Sequence, residues 1–171
     1  MRGRICLVGV ALSVSPLTFG VTAATAAKSK SAPPTTSRVK VTCTTNVGIM
    51  IAPGDTGVLP PAAQGTEYGT VQCGKLLGQG VQADTFTLAA GGDTLAHYKL
   101  YFGSGTIHGS YDLTPQESDF NFLETDYLGK LTIAGGTGAF QGLKGTGTMT
   151  CQTLDGIHTT CKLKLKLPTN F

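Results

Sequence analysis

The sequence predicts an all-β protein with a single domain, built as an eight-stranded antiparallel barrel over residues 38–171 with little or no helix. The chain contains 24 glycines, no tryptophan and 13% charged residues, and glycine with abundant threonine favours short strands joined by tight turns. Several stretches place apolar residues at every second position, which is the period of a strand with one buried face. Four cysteines follow an export segment, and an even count in an exported chain indicates two disulfides.

The first 26 residues predict a signal peptide. Arg2 and Arg4 form a positively charged n-region, and residues 5–21 are mostly apolar. Ala24-Thr25-Ala26 then offers a small-x-small cleavage site. A membrane anchor is the alternative, but Pro16 and nearby small polar residues make the stretch short and weak for a spanning helix. We therefore expect an extracellular protein.

Cleavage after Ala26 removes two of the 13 basic residues, which lowers the formal net charge from +3 to +1. Cys6 leaves with the signal, and residues 27–37 form a flexible polar leader. No cluster of lysine and arginine suggests a nucleic-acid interface, and nothing predicts membrane association after cleavage. The sequence predicts no cofactor, and it leaves open whether copies associate as a homo-oligomer.

The first predicted strand shows the alternation most clearly. Apolar or small residues occupy the odd positions from Val39 to Ile51, and polar residues occupy most of the positions between. Residues 54–66 are rich in glycine, proline and alanine and predict a long loop, a candidate rim or lid. The other strands are expected at 68–75, 81–89, 94–102, 106–113, 120–134 with a bulge near Glu124–Asp126, 143–152 and 157–167.

The last hairpin predicts one disulfide directly. Lysines and leucines alternate over residues 162–167, and Cys161 shares the inward face of the leucines. A three-residue loop at 155–157 puts Cys151 directly opposite Cys161, whereas a two-residue loop would offset them by one. Cys43 then pairs with Cys73 by elimination. Zinc is disfavoured because no close Cys-x-x-Cys pair is present.

Residues 131–147, LTIAGGTGAFQGLKGTG, resemble the strand–GGTGxFxGxxGxG–strand hairpin of the allene oxide cyclase and dirigent-like barrels. The resemblance is specific over these seventeen residues and extends to strand count and pattern over residues 68–167. It implies a calycin-like barrel with an apolar cavity, in which Phe140 plugs one end. The export signal and the cysteines further suggest a bacterial-type secreted member. No catalytic residues of the plant enzymes can be aligned with this chain.

The barrel interior is the natural place for a site. Gln82 and Asp84 share parity with Phe86 on the third strand, so Asp84 is either a carboxylate in an apolar surrounding, suited to proton transfer, or is returned to solvent by a bulge. Tyr98 and Tyr111 also have inward parity. They either orient a ligand through their hydroxyls or pack with the hydroxyls at the rim. The predicted ligand-binding residues are therefore Phe86, Tyr98, Tyr111 and Phe140, with Asp84 as the catalytic candidate.

Other candidates are weaker. Glu124 and Asp126 are expected to be solvated, and His97 with His108 forms an outward pair that lacks a third metal ligand. Ser104 lacks the Gly-x-Ser-x-Gly elbow of a hydrolase. The glycine-rich run at 135–142 mimics a phosphate loop, but strand-like sequence follows it instead of a helix.

Two functions remain open from the sequence. The first is a secreted, disulfide-stabilised barrel that binds a small apolar molecule in its lumen. The second is a cyclase or isomerase, rather than a hydrolase, that shapes an apolar substrate and excludes water. Asp84 distinguishes the two, because only an enzyme needs its carboxyl group.

Overall fold

The computed structural model describes residues 37–51, 62–89, 91–117, 121 and 123–169. The predicted signal peptide and all of the predicted leader except Ser37 lie outside these residues. The strands are β1 Arg38–Ile51, β2 Ala62–Gln72, β3 Gln79–Ala89, β4 Thr94–Phe102, β5 Gly105–Pro115, β6 Thr125–Gly136, β7 Gly145–Thr153 and β8 His158–Pro168.

The eight strands form one closed barrel. Each strand pairs antiparallel with its neighbours along the chain, and β1 also pairs with β8 over the register from Arg38 opposite Pro168 to Gly48 opposite His158. The predicted fold class is confirmed. We call the end that carries Arg38 and Pro168 the lower end, and the end where β2 and β4 begin the upper end.

Strand alternation separates the lumen from the outer wall. β4 illustrates the pattern, because Thr94, Ala96, Tyr98, Leu100 and Phe102 are buried and the residues between them are exposed. In β8 the leucines point inward and the lysines point outward, as the sequence predicts. The core is therefore the inside of the barrel, filled mainly by aliphatic and aromatic side chains.

Both predicted disulfides are present, Cys43–Cys73 and Cys151–Cys161. Cys151 lies directly opposite Cys161 in the β7–β8 ladder. The connection between these strands, residues 154–157, is one residue longer than the predicted loop, but the register is the predicted one. Cys73 follows the end of β2, beside Cys43 on β1, so both bridges join neighbouring strands.

Two short helical turns complete the lower end. A 3₁₀ turn, Gly138–Phe140, connects β6 to β7 and directs Phe140 into the core, where its ring meets Phe102 edge to face at 5.6 Å. This position agrees with the plug that the resemblance implies. An α-helical turn, Gly74–Leu77, connects β2 to β3 and buries the side chain of Leu77. Among the described residues, no helix has the length and apolar character needed to cross a membrane.

The second strand differs from its prediction at both ends. Residues 62–66, expected in the long loop, belong to β2 and pair with residues 85–89 of β3. Residues 52–61 lie outside the described residues, so the predicted rim or lid stays a prediction. Lys75 is helical rather than extended, because Gly74 and Gly78 have φ values of +64° and +80° and turn the chain back.

Strands β6 and β7 also begin later than predicted. β6 starts at Thr125 instead of residue 120, and its register with β7 is regular through Thr125 and Asp126, where the sequence predicts a bulge. The irregularity lies between His108 and Gly109 on β5, where β6 carries Ala134 as an extra residue. β7 starts at Gly145 instead of residue 143, because residues 138–143 are used in the 3₁₀ turn and its exit.

The two disulfides should contribute unequally to stability. Loop-closure entropy gives about 3.6 kcal/mol for the bridge that spans about 30 residues and about 2.7 kcal/mol for the bridge that spans about 10. We expect urea unfolding of the Cys43→Ala/Cys73→Ala variant to show the larger loss of stability, by about 1 kcal/mol. An equal or reversed order would mean that contacts in the folded state, rather than the closed loop, determine the contribution.

Candidate functional site

Asp84 lies inside the barrel. Its side chain is 3% exposed, and that of Gln82, two residues earlier on β3, is 1% exposed. The strand stays regular here, with Asp84 opposite Glu67 on β2 and opposite Tyr98 on β4. The interpretation in which a bulge returns Asp84 to solvent is therefore wrong.

A second buried carboxyl group, that of Glu67, faces the same space. Glu67 is 8% exposed and sits on β2 directly across the ladder from Asp84. The sequence interpretation missed it, because it started the second strand at Tyr68. The signal was available, since Glu67 shares parity with Val71 and Cys73, both of which are buried.

Tyr111 links the two carboxyl groups. Its hydroxyl on β5 lies 3.3 Å from Oε2 of Glu67 and 3.1 Å from Oδ2 of Asp84, and Nε2 of Gln82 donates to the same Oδ2 at 2.6 Å. A phenol carries one proton and can donate it to only one of the two carboxyl oxygens. Both contacts are hydrogen bonds only if one carboxyl group is protonated. Because Asp84 already accepts from Gln82, the consistent arrangement is Glu67 donating to Tyr111 and Tyr111 donating to Asp84.

The electrostatics agree with a retained proton. Burial raises the pKa of Glu67 from 4.5 to about 7, and the nearby charge of Asp84 adds to this rise. Burial likewise raises the pKa of Asp84 from 3.8 to about 7, although the hydrogen bonds from Gln82 and Tyr111 oppose it. We refer to Glu67, Gln82, Asp84 and Tyr111 as the carboxyl cluster.

Two further tyrosines surround this cluster. Tyr98 stacks on Tyr111 with 6.2 Å between ring centroids, and its hydroxyl donates to the backbone carbonyl of Thr132 at 3.0 Å. Gly109 makes this contact possible, because a Cβ there would stand 2.8 Å from the Tyr98 hydroxyl and 1.8 Å from the Thr132 carbonyl oxygen. Burial raises the pKa of Tyr98 and Tyr111 above the ordinary value and that of Tyr127, on β6, to about 12.

Above the cluster the lumen holds a pocket of about 30 Å³, room for one or two water molecules. Glu67 and Tyr111 supply its polar groups together with threonines of β4, β7 and β8, and Phe86 lines it as predicted. Its remaining lining is Ile49, Leu88, Leu113, Tyr127, Met149 and the Cys151–Cys161 pair. Asp84, Tyr98 and Phe140, which the sequence also predicts for the site, are not among the residues that line this pocket, and Phe140 lies at the lower end of the barrel.

The outer wall carries the other candidates. His97 on β4 and His108 on β5 are exposed, which confirms their predicted outward placement. Glu124, just before β6, and Asp126, on β6, are exposed to solvent as predicted. A hollow of about 940 Å³ also runs across the outside of β1 to β6, and its lining includes four threonines, the apolar Met50 and Leu95, and the exposed ionisable side chains of His97, Asp112 and Lys130. Among the residues that line this hollow, Tyr111 is the one ionisable side chain that is buried. Within the described part of the chain, no three histidine, cysteine, aspartate or glutamate side chains are grouped to hold a metal ion.

The carboxyl cluster can exchange protons near neutral pH. Its two carboxyl groups have pKa values of about 7, which suits either proton donation or proton acceptance. Glu67 and Tyr111 are the members that border the pocket. A bound molecule would therefore contact Glu67, while Asp84, which does not line the pocket, carries the negative charge of the cluster.

Comparison with a dirigent protein of known structure supports the fold. A pterocarpan synthase dirigent protein superposes with a TM-score of 0.54 and 12% sequence identity, covering 76% of this chain and 84% of that one. A pyocyanin demethylase gives a TM-score of 0.39 at 16% identity, covering 71% of this chain and 98% of that one. No protein-family model and no curated protein matches the sequence. The chain thus has a dirigent-like eight-stranded barrel, stabilised by two disulfides that are compatible with an extracellular protein.

The buried carboxyl groups should make the fold more stable in mild acid than in mild base. Between about pH 4.5 and pH 7 the folded chain keeps protons that the unfolded chain has released, so the free energy of unfolding falls as pH rises. We expect a loss of about 2–5 kcal/mol between about pH 4.5 and pH 8, measured by urea unfolding. A Glu67→Gln/Asp84→Asn variant should show a much flatter profile, and an equally steep one would contradict the assignment.

Proposed function

We propose that the chain is an exported protein whose barrel binds a small, largely apolar molecule in the upper lumen, with the polar end of that molecule at Glu67 and Tyr111. The observation that carries this proposal is the carboxyl cluster. Two carboxyl groups and a tyrosine hydroxyl stand at the base of a lumen otherwise filled mainly by hydrocarbon and disulfide sulfur. Burying such groups lowers stability, and a polar group that lowers stability is retained where function uses it.

The size of the pocket sets a condition on binding. At about 30 Å³ it receives a head group, and a longer ligand requires lining side chains to move. Ile49 on β1 and Tyr127 on β6 line the pocket and are only partly buried, so these are the side chains best placed to move. Entry from the upper end also leaves the lower plug, Phe102 with Phe140, in place.

The proposal includes the finer parts of the family resemblance. The GGTGAFQG hairpin at 135–142, the signal peptide predicted at 1–26 and the two disulfides together support a bacterial-type secreted relative of the allene oxide cyclase and dirigent-like barrels. The dirigent protein named above is a pterocarpan synthase, and we transfer no reaction from it to this chain.

Native mass spectrometry of the exported protein tests lumen binding. We expect a small molecule bound one to one, released on denaturation. Met149→Trp should abolish it, because Met149 lines the pocket and is 1% exposed, so the indole fills the space. Val81→Trp is the matched control, since Val81 is 51% exposed on the outer wall.

A second measurement covers the case in which no ligand survives purification or the tryptophan variant fails to fold. Titration of the wild-type protein with hexan-1-ol should shift the methyl NMR signals of Met149, Leu88 and Leu113, which line the pocket. The proposal would be overturned if native mass spectrometry showed the wild-type protein without a bound molecule and hexan-1-ol left these methyl signals unshifted.

An acid–base cyclase or isomerase is the second candidate function. The specific observation in its favour is the pair of carboxyl pKa values near 7 in a site shielded from bulk water. In such an enzyme Glu67 would donate its proton to one carbon atom of the substrate and, as the carboxylate, take a proton back from another, while Asp84 stays ionised throughout. Positioned proton transfer of this kind contributes about 10²–10⁴-fold to a rate.

Solvent exchange distinguishes the enzyme from the binding protein. If the co-purified molecule is incubated with the barrel in deuterated water, an acid–base enzyme should place deuterium on its carbon atoms, detected by mass spectrometry. Glu67→Gln and Asp84→Asn should each slow this exchange by at least about 100-fold. Unlabelled ligand, or labelling at the same rate with Glu67→Gln, would exclude proton transfer by the cluster and leave the binding function standing.

A further inference from the structure

The lumen contains acidic groups without a basic partner. Every lysine, arginine and histidine among the described residues is exposed on the outer wall or in a turn. The carboxyl groups of Glu67 and Asp84 therefore have no cationic side chain to neutralise them within the described barrel. Buried charges in proteins are normally paired, so this arrangement leaves room for a positive charge supplied from outside.

The hydrogen bonds show the same imbalance. The hydroxyl protons of Tyr98 and Tyr111 are already given to Thr132 and to the carboxyl cluster. Oδ1 of Asp84 and Oε1 of Gln82 are buried and accept no hydrogen bond from the protein. Both are acceptor atoms on side chains that are at least 97% buried, since Asp84 is 3% and Gln82 is 1% exposed. The cluster is therefore short of donors.

Aromatic rings line the same pocket. Phe86, Tyr111 and Tyr127 border it together with Glu67. Ring faces attract cations, and they do so more strongly where water is excluded. A negative carboxyl group beside three aromatic rings is the combination that favours an organic ammonium over a neutral or anionic head group.

From these observations we infer that the molecule bound in the lumen is a small amphipathic amine, whose ammonium group lies at Glu67 and whose apolar part lies against the upper lining. This inference rests on the proposed binding function and names its ligand class. An ammonium group brings one positive charge and three donors to Glu67 and the Tyr111 oxygen, which border the pocket, so Glu67 no longer has to keep a proton. Asp84 and Gln82 do not line the pocket, and the added charge acts on Asp84 through Tyr111. The rest of the molecule meets Ile49, Leu88 and Leu113, which are apolar.

Proton balance gives the inference a pH dependence. The empty cluster holds a proton below about pH 7, and an ammonium favours the state in which both carboxyl groups are ionised. Binding therefore releases that proton, and affinity should rise from mild acid to mild base. The ionisable groups that face Glu67 or its partner are Asp84 on β3, Tyr98 on β4, Tyr111 on β5 and Tyr127 on β6. Burial keeps the tyrosines neutral over this range, so the carboxyl groups dominate the change.

Three probes with the same alkyl chain test the inference: hexylamine, hexan-1-ol and hexanoate, titrated by NMR at about pH 8 and about pH 5.5, where the amine stays charged. We expect hexylamine to bind at least about tenfold more tightly than either analogue at the higher pH. Its affinity should fall at least about fivefold at the lower pH, whereas that of hexan-1-ol should change little.

Matched variants assign the preference to the lumen. Glu67→Gln should bring the affinity for hexylamine down to that for hexan-1-ol, because the amide carries no negative charge. If Glu67→Gln fails to fold, Asp84→Asn takes its place and should weaken hexylamine binding. Glu124→Gln makes the same chemical change at an exposed position and should have no effect. If hexan-1-ol or hexanoate binds as tightly as hexylamine, the amine class is wrong but lumen binding stands. If none of the three shifts the signals of Met149, Leu88 and Leu113, lumen binding itself is wrong.

Discussion

Closure of the sheet is the constraint on which the rest of the structure depends. β1 pairs with β2 on one side and with β8 on the other, so no strand edge remains among the described strands. A closed sheet has one inside, and strand alternation then sends every second side chain into it. Glu67 and Asp84 are buried for this reason. Their parity matches the apolar residues of β2 and β3, and a regular ladder gives them no other direction.

The carboxyl cluster lowers the stability of this arrangement. Burial opposes ionisation of both acids, and the single Tyr111 proton cannot satisfy two ionised carboxyl groups. A core built for stability alone would place aliphatic side chains here, as it does around Leu100 and Leu131. The disulfides and the plug at Phe140 stabilise the barrel around the cluster, which keeps its atoms in place without adding a partner charge.

The shortage of donors and of positive charge connects the site to its proposed ligand. A neutral ligand at Glu67 would leave the cluster with its proton, whereas an amine supplies the missing positive charge and releases that proton. The outer wall has no comparable need for a partner charge or a donor, because its ionisable groups are hydrated. The larger outer hollow is therefore a weaker candidate for a specific site than the small pocket in the lumen, although it has more volume.

The sequence by itself determined the strand pattern, the inward parity of Asp84, Tyr98 and Tyr111, and the Cys151–Cys161 pairing, because each follows from period-two alternation and from the register of one hairpin. It misplaced the ends of β2 and β6, since those ends depend on which partner residues are available for pairing. Only the tertiary structure decided that Glu67 joins Asp84 through Tyr111, because β2, β3 and β5 come together inside the barrel although these residues are up to 44 positions apart. Local patterns record the face on which a side chain lies, and barrel curvature selects the side chains that meet.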